Sequence, residues 1–275
     1  MSTSLEVPDR LDQVMDGAGL LAGAANIIMQ LAHPGVGYGV YESKVESGQL
    51  FKHPIKRSRT TLTYLVVAAR GTDEEKAAFR KGVNRAHAKV RSTPDSPVQY
   101  NAFDPELQLW VAACIYRGFE DVNRALHGEL SPAASAFFYK EGTTFGTTLQ
   151  VPPEMWPEDR VAFEEYWNKA LDKVSIDDTI RAHVLSIARL EFLPAIVSRL
   201  FGRLNMFFTN GFLPQQFRDE MHLTWTDKDQ KRFDRTLSTI GAVSRRIPVR
   251  IREFPYNVLM FDLRRRIKAG KPFML

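Results

Sequence analysis

Apolar residues recur along most of this chain at the three- and four-residue spacing of an α-helix, and no run alternates long enough to indicate a sheet. In "GTDEEKAAFRKGVNRAHAKVR", residues 71–91, Phe79, Val83, Ala86 and Val90 form one apolar stripe. Thr72 and Glu75 stand ahead of it at capping-box spacing, with acidic residues in the first turn and basic ones in the last. "DPELQLWVAACIYRGFEDVNRAL", residues 104–126, opens with Asp104 as N-cap and Pro105 at the first helical position, then carries a long apolar run. Helices are also predicted over 157–174, 178–202, 226–247 and 256–267. "AGLLAGAANIIMQLA", residues 18–32, reads as a helix buried on most sides. It is shorter than the roughly 20 apolar residues of a membrane span, and Asn26 and Gln30 interrupt it. Its small residues would let another helix, or a flat ligand, approach closely.

Breakers fall between these segments: "HPGVGYG" at 33–39, residues 92–101 and 151–157, and Pro214, Pro248 and Pro255. Residues 60–69, "TTLTYLVVAA", are rich in β-branched side chains and leave helix and strand open. No repeat, low-complexity tract or shift in composition divides the chain. The expected architecture is one all-α domain over residues 1–275, with roughly nine or ten helices.

Composition narrows the picture. Apolar residues make up 44% and charged residues 25%, which excludes extensive disorder. A net charge of +5 permits an anionic ligand or a membrane surface but requires neither. Cys114 is the only cysteine, so a metal site would fall to histidine, carboxylate or a prosthetic group. The polar, acidic start is no signal peptide, and a cytoplasmic location is expected. There is no Glu-x-x-His pair, no phosphate-binding glycine loop, no G-x-S-x-G elbow and no zinc-spaced pair of histidines. An enzyme with such a sequence takes its hard chemistry from a bound cofactor.

Three places carry candidate chemistry. His87 lies on the edge of its helix's apolar stripe, as either a boundary histidine with one hydrogen bond or an axial ligand to a haem iron. His33, between the apolar segment and Pro34, either caps the last carbonyls of that helix or faces a pocket that the following glycines admit. Lys56, Arg57 and Arg59 precede Thr60, Thr61 and Thr63 at a helix start, where the dipole favours anions; they serve a bound anion or a solvated loop. The cluster Arg245, Arg246, Arg250 and Arg252 lacks interleaved aromatics, so a nucleic-acid partner is not expected.

Taken in order, "QLAHPGVGYGV", Arg57–Thr61, the R-x-H-x-x-V core from Arg85 to Val90 and the D-P-E-L-x-L-W start from Asp104 to Trp110 resemble one family. It is that of the MpaB-type oxygenases and the rubber oxygenase (latex-clearing protein) catalytic domain. "FLPQQFRDEMHLTWTDKDQKRF" and "RRIPVRIREFP" extend the likeness, which spans roughly residues 10–268. The resemblance implies an all-α fold enclosing a b-type haem, with His87 as proximal iron ligand and Arg57, Arg85 and Arg91 as contacts of the cofactor. It implies Arg57 and Thr61 as distal groups, with His33 as a further candidate. The rubber-cleaving members carry an Arg-x-x-Lys-Thr segment; here Thr60 stands where the lysine would be, so their distal arrangement does not carry over intact. The function implied is a haem-dependent oxygenase or oxidase acting with O2 on a hydrophobic, isoprenoid- or lipid-like small molecule. The alternative is a helical carrier or sensor that binds haem or a lipid without turnover.

Overall fold

The computed structural model describes residues 15–271, and these are helical with no strand; their one extended pairing is an antiparallel bridge between Arg91 and Asn101. After a 3-10 turn at Gly17–Ala22, whose N-cap Asp16 accepts from the Ala18 N–H, the chain runs α1 (Gly23–Leu31), α2 (Pro34–Tyr41), α3 (Pro54–Arg70) and α4 (Asp73–His87). Next come α5 (Pro105–His127), α6 (Pro132–Gly142), α7 (Thr144–Thr147), α8 (Arg160–Leu171) and α9 (Asp178–Ala188). The second half closes with α10 (Ala195–Phe212), α11 (Gln215–Glu220), α12 (Asp227–Ser244), α13 (Val249–Arg252) and α14 (Tyr256–Lys268). This exceeds the nine or ten helices expected because α7, α11 and α13 are pieces of four to six residues, too short to leave a period in sequence, and because α9 and α10 divide a stretch predicted as one helix.

The long helix α5 is the axis of the core. Leu109, Trp110, Ala112, Ala113, Cys114 and Tyr116 are buried, a near-continuous run that no solvent-facing helix carries, and α1, α7 and α12 pack around it. Trp110 stacks on Trp167 of α8 with centroids 5.3 Å apart, and Tyr116 on Phe138 of α6 at 5.0 Å. The α12 crossing is closest at Gly241, where a Cβ would stand 1.8 Å from the Leu126 carbonyl oxygen. A second, smaller cluster joins α3, α4 and α14 through Val66, Val67, Phe79, Tyr256, Met260 and Leu263.

Three readings change. Residues 33–39 form α2 rather than a loop: Pro34 occupies the first turn, where its missing N–H costs nothing, and His33 caps it, accepting from the Gly35 N–H at 3.2 Å. Gly37 is required there, since a Cβ would meet the Leu31 carbonyl at 2.5 Å. The β-branched stretch 60–69 lies inside α3, because burying Val66 and Val67 outweighs their small helix penalty. The predicted helix over 178–202 is two: α9 ends at Ala188, Leu190 turns with φ 59°, and Pro194 starts α10. The new helix folds back so closely that a Cβ on Gly202 would meet the Arg189 carbonyl at 2.6 Å.

Candidate functional site

The capping box predicted for α4 is present: Thr72 Oγ1 accepts from the Glu75 N–H at 3.2 Å and the Glu75 carboxylate accepts from the Thr72 N–H at 2.9 Å. Arg80 anchors the middle of α4 to the C-terminal end of α7 by donating to the Thr147 and Thr148 carbonyls. These constraints fix the helix that presents His87 as its last residue.

The His87 ring faces inward. Its Nδ1 is buried and has no hydrogen-bond partner, and Phe103 meets the ring edge-on with centroids 6.1 Å apart. Burial, together with the nearby Arg57 cation and against the Gln150 side chain, holds the His87 pKa down at about 4. The imidazole is therefore neutral at physiological pH, the form that ligates a metal. A histidine at a helix C-terminus ordinarily gains a proton from the dipole, so desolvation dominates here.

Arg57 comes to this ring from the second turn of α3. Part of its side chain touches the surface, yet desolvation alone lowers its pKa, and among the described residues no carboxylate pairs with it. A half-buried cation without a carboxylate partner thus stands beside a neutral imidazole whose buried Nδ1 is open.

A polar chain stiffens the other side of the ring. Gln108 of α5 donates to the Gln150 side-chain oxygen at 2.6 Å and to the Ala102 carbonyl at 2.7 Å, and accepts from the Gln150 N–H at 3.1 Å. Gln150 in turn donates to Asn84, one turn before His87 on α4. Sequence reading missed Phe103, Gln108 and Gln150. It missed Asn84 too, which its i,i+3 spacing from His87 could have flagged, whereas Gln150 lies in a stretch without periodicity and is brought in by the fold alone.

The other expected site residues sit apart from this pair. Thr61 is exposed and its hydroxyl donates to the Arg57 carbonyl at 3.1 Å. Arg85 and Arg91 are exposed, and Arg91 donates to the Ala88 carbonyl at 3.3 Å. His33 caps α2, and its ring lies 6.4 Å from that of Trp110. Its pKa is lowered by burial and by Lys173, with Asp104 and Glu106 opposing. Among the described residues no contact joins His33 to His87, and no group of three or more histidine, cysteine or acidic side chains is gathered for a metal ion.

Fold and site together define an all-α protein with a neutral histidine at a helix end, its Nδ1 buried, and a half-buried arginine beside it. The chain belongs to the family described as "ER-bound oxygenase mpaB/B'/Rubber oxygenase, catalytic domain", which matches residues 11–242. It is 50% identical over 252 residues to each of two proteins described as uncharacterized, one from Mycobacterium bovis and one from Mycobacterium tuberculosis; the match covers 92% of this chain and 99% of each relative. No solved structure matches the chain. The family is an oxygenase catalytic domain, and no helix among the described residues is long and apolar enough to cross a membrane.

Proposed function

We propose that the protein is an oxygenase whose cofactor is a b-type haem held by His87, acting with O2 on a hydrophobic small molecule of isoprenoid or lipid type. The observation that carries this reading is the buried, partnerless Nδ1 of a His87 kept neutral next to the unpaired Arg57. The donor set fits the group: one neutral imidazole nitrogen for the iron, and one fixed guanidinium for a propionate. When bound, haem supplies the redox and dioxygen chemistry that no side chain here offers.

The protein's own residues do the rest. His87 stays deprotonated because burial disfavours its cation, so no proton competes with a metal for the ring. Phe103 and the Gln108–Gln150–Asn84 chain restrict the tilt of the imidazole, as outer partners of a metal-binding histidine do. Arg57 binds and orients the anionic edge of the guest. Thr61 and His33 are second-rank participants in this reading: the Thr61 proton is committed to the Arg57 carbonyl, and His33 Nδ1 to the Gly35 N–H. Arg85 and Arg91 stand at the surface, where they would reach only a propionate that projects outward.

The test is the visible spectrum of protein expressed with haem supplied, oxidised and then reduced, beside His87→Ala. A Soret band that the variant loses or shifts supports the reading, and a five-coordinate reduced form that takes up carbon monoxide supports oxygenase use. No Soret band in the wild type ends the haem assignment. A six-coordinate reduced form inert to carbon monoxide points to a carrier instead.

A further inference from the structure

The positive charge of this chain is concentrated. Between Val243 and Lys268 eight arginines and lysines stand against Glu253 and Asp262, a net of +6, whereas the whole chain carries +5; every other residue together sums to −1. Both acids are paired, Glu253 with Arg70 at 3.1 Å and Asp262 with Arg265 and Arg266 of its own helix at 2.9 Å. Arg246, Arg250 and Lys268 are exposed and make no ion pair among the described residues.

The same segment displays large apolar side chains. Ile251 is 64%, Phe254 61% and Phe261 69% exposed, and Val249 and Val258 are about half exposed. Helix α14 has two distinct faces: Tyr256, Met260 and Leu263 are buried, while Val258, Phe261, Arg265 and Lys268 recur at helical spacing on the opposite side. Beside it a cavity of about 370 Å³ opens, lined in part by Val243, Ile247, Ile251 and Phe254. Scattered exposed apolar residues need no explanation, but a contiguous run of them interleaved with unpaired cations does.

We infer that the face from the end of α12 through α14 seats the protein on an anionic lipid bilayer. The apolar side chains enter the boundary between headgroups and acyl chains, and the arginines face lipid phosphates. Charge complementarity selects this occupant. A second copy docking by the same face would set +6 against +6, a repulsion that a two-fold contact cannot avoid. No described helix is long and apolar enough to cross a membrane, so the protein lies on the surface rather than through it. This face contacts α4 at its first turn, where Glu75 pairs with Arg264 at 2.8 Å, whereas His87 ends the same 15-residue helix, roughly 18 Å further on. Docking therefore does not depend on the haem reading.

The experiment is co-sedimentation of the full chain with vesicles of phosphatidylcholine alone or mixed with phosphatidylglycerol. Wild type is expected to sediment with the mixed vesicles and to be released as salt rises. The R246Q/R250Q variant should lose roughly fivefold in partitioning per arginine removed. The I251Q/F261Q variant should bind more weakly while keeping the salt dependence, and unchanged thermal midpoints show that both variants are folded. Equal sedimentation with neutral and anionic vesicles, or none with either, would overturn the proposal. So would a dimeric mass by light scattering that I251Q/F261Q returns to monomer.

Discussion

Arg57→Met separates stability from function at the candidate site. Methionine keeps most of the stem's volume and removes the charge. In the haem-free protein the guanidinium is desolvated without a carboxylate partner. A buried polar group left unsatisfied costs about 1–3 kcal/mol, and because solvent reaches part of Arg57 the expected relief lies near the lower end, about 1 kcal/mol. For a chain of this length that raises the thermal midpoint by roughly 2–4 °C. Haem affinity should move the other way. Losing a charge-assisted hydrogen bond to a propionate costs about 1.5–3 kcal/mol, a weakening of roughly tenfold to a hundredfold. Thermal melts of haem-free protein and haem titrations followed at the Soret band supply the two readouts. A haem-free variant less stable than wild type, or unchanged haem affinity, refutes the argument that Arg57 is kept for a guest rather than for the fold.

Gly241→Ala drives a methyl into the Leu126 carbonyl at the α5–α12 crossing, so despite alanine's better helix propensity it should cost about 3 kcal/mol or more, read as a fall in the urea midpoint. A variant as stable as wild type would mean the two helices part freely. For Asp16, burial raises the carboxyl's pKa, but hydrogen bonds from His127, Ser244 and the Ala18 N–H outweigh it and hold the value below that of a free aspartate. A depressed folded pKa gives stability that is present above about pH 4 and is lost as pH falls through the folded value, so Asp16→Asn should lower stability at pH 7 and flatten its loss below pH 4. Parallel stability curves for the two proteins across that window would contradict the assignment. Gln150→Leu, which removes the bridge between Gln108 and Asn84, should broaden or shift the Soret band of the haem-loaded protein while leaving haem bound; a spectrum identical to wild type would show that the chain does not steer His87.

The main helices were legible because their signals are local. Thr72 with Glu75, Asp104 with Pro105, and the 3.6-residue recurrence of Phe79, Val83 and Ala86 each act within a few turns of one helix. The family was legible from short motifs in a fixed order, and His87 and Arg57 of the candidate site lie in two of those motifs. Leu190 turning with φ 59° was not legible, since nothing in a leucine announces a left-handed residue; the turn is held by α10 packing back on Arg189. Nor was α2 within "HPGVGYG", where proline and glycines that break an isolated helix are what let this one begin and lie against Leu31. The direction in which His87 points, the desolvation that keeps it neutral, and the arrival of Arg57, Phe103 and Gln150 around it are long-range outcomes. A residue's period places it on a face of its own helix; which residues from other helices meet that face is set by packing, because burial and pKa depend on neighbours distant in the chain.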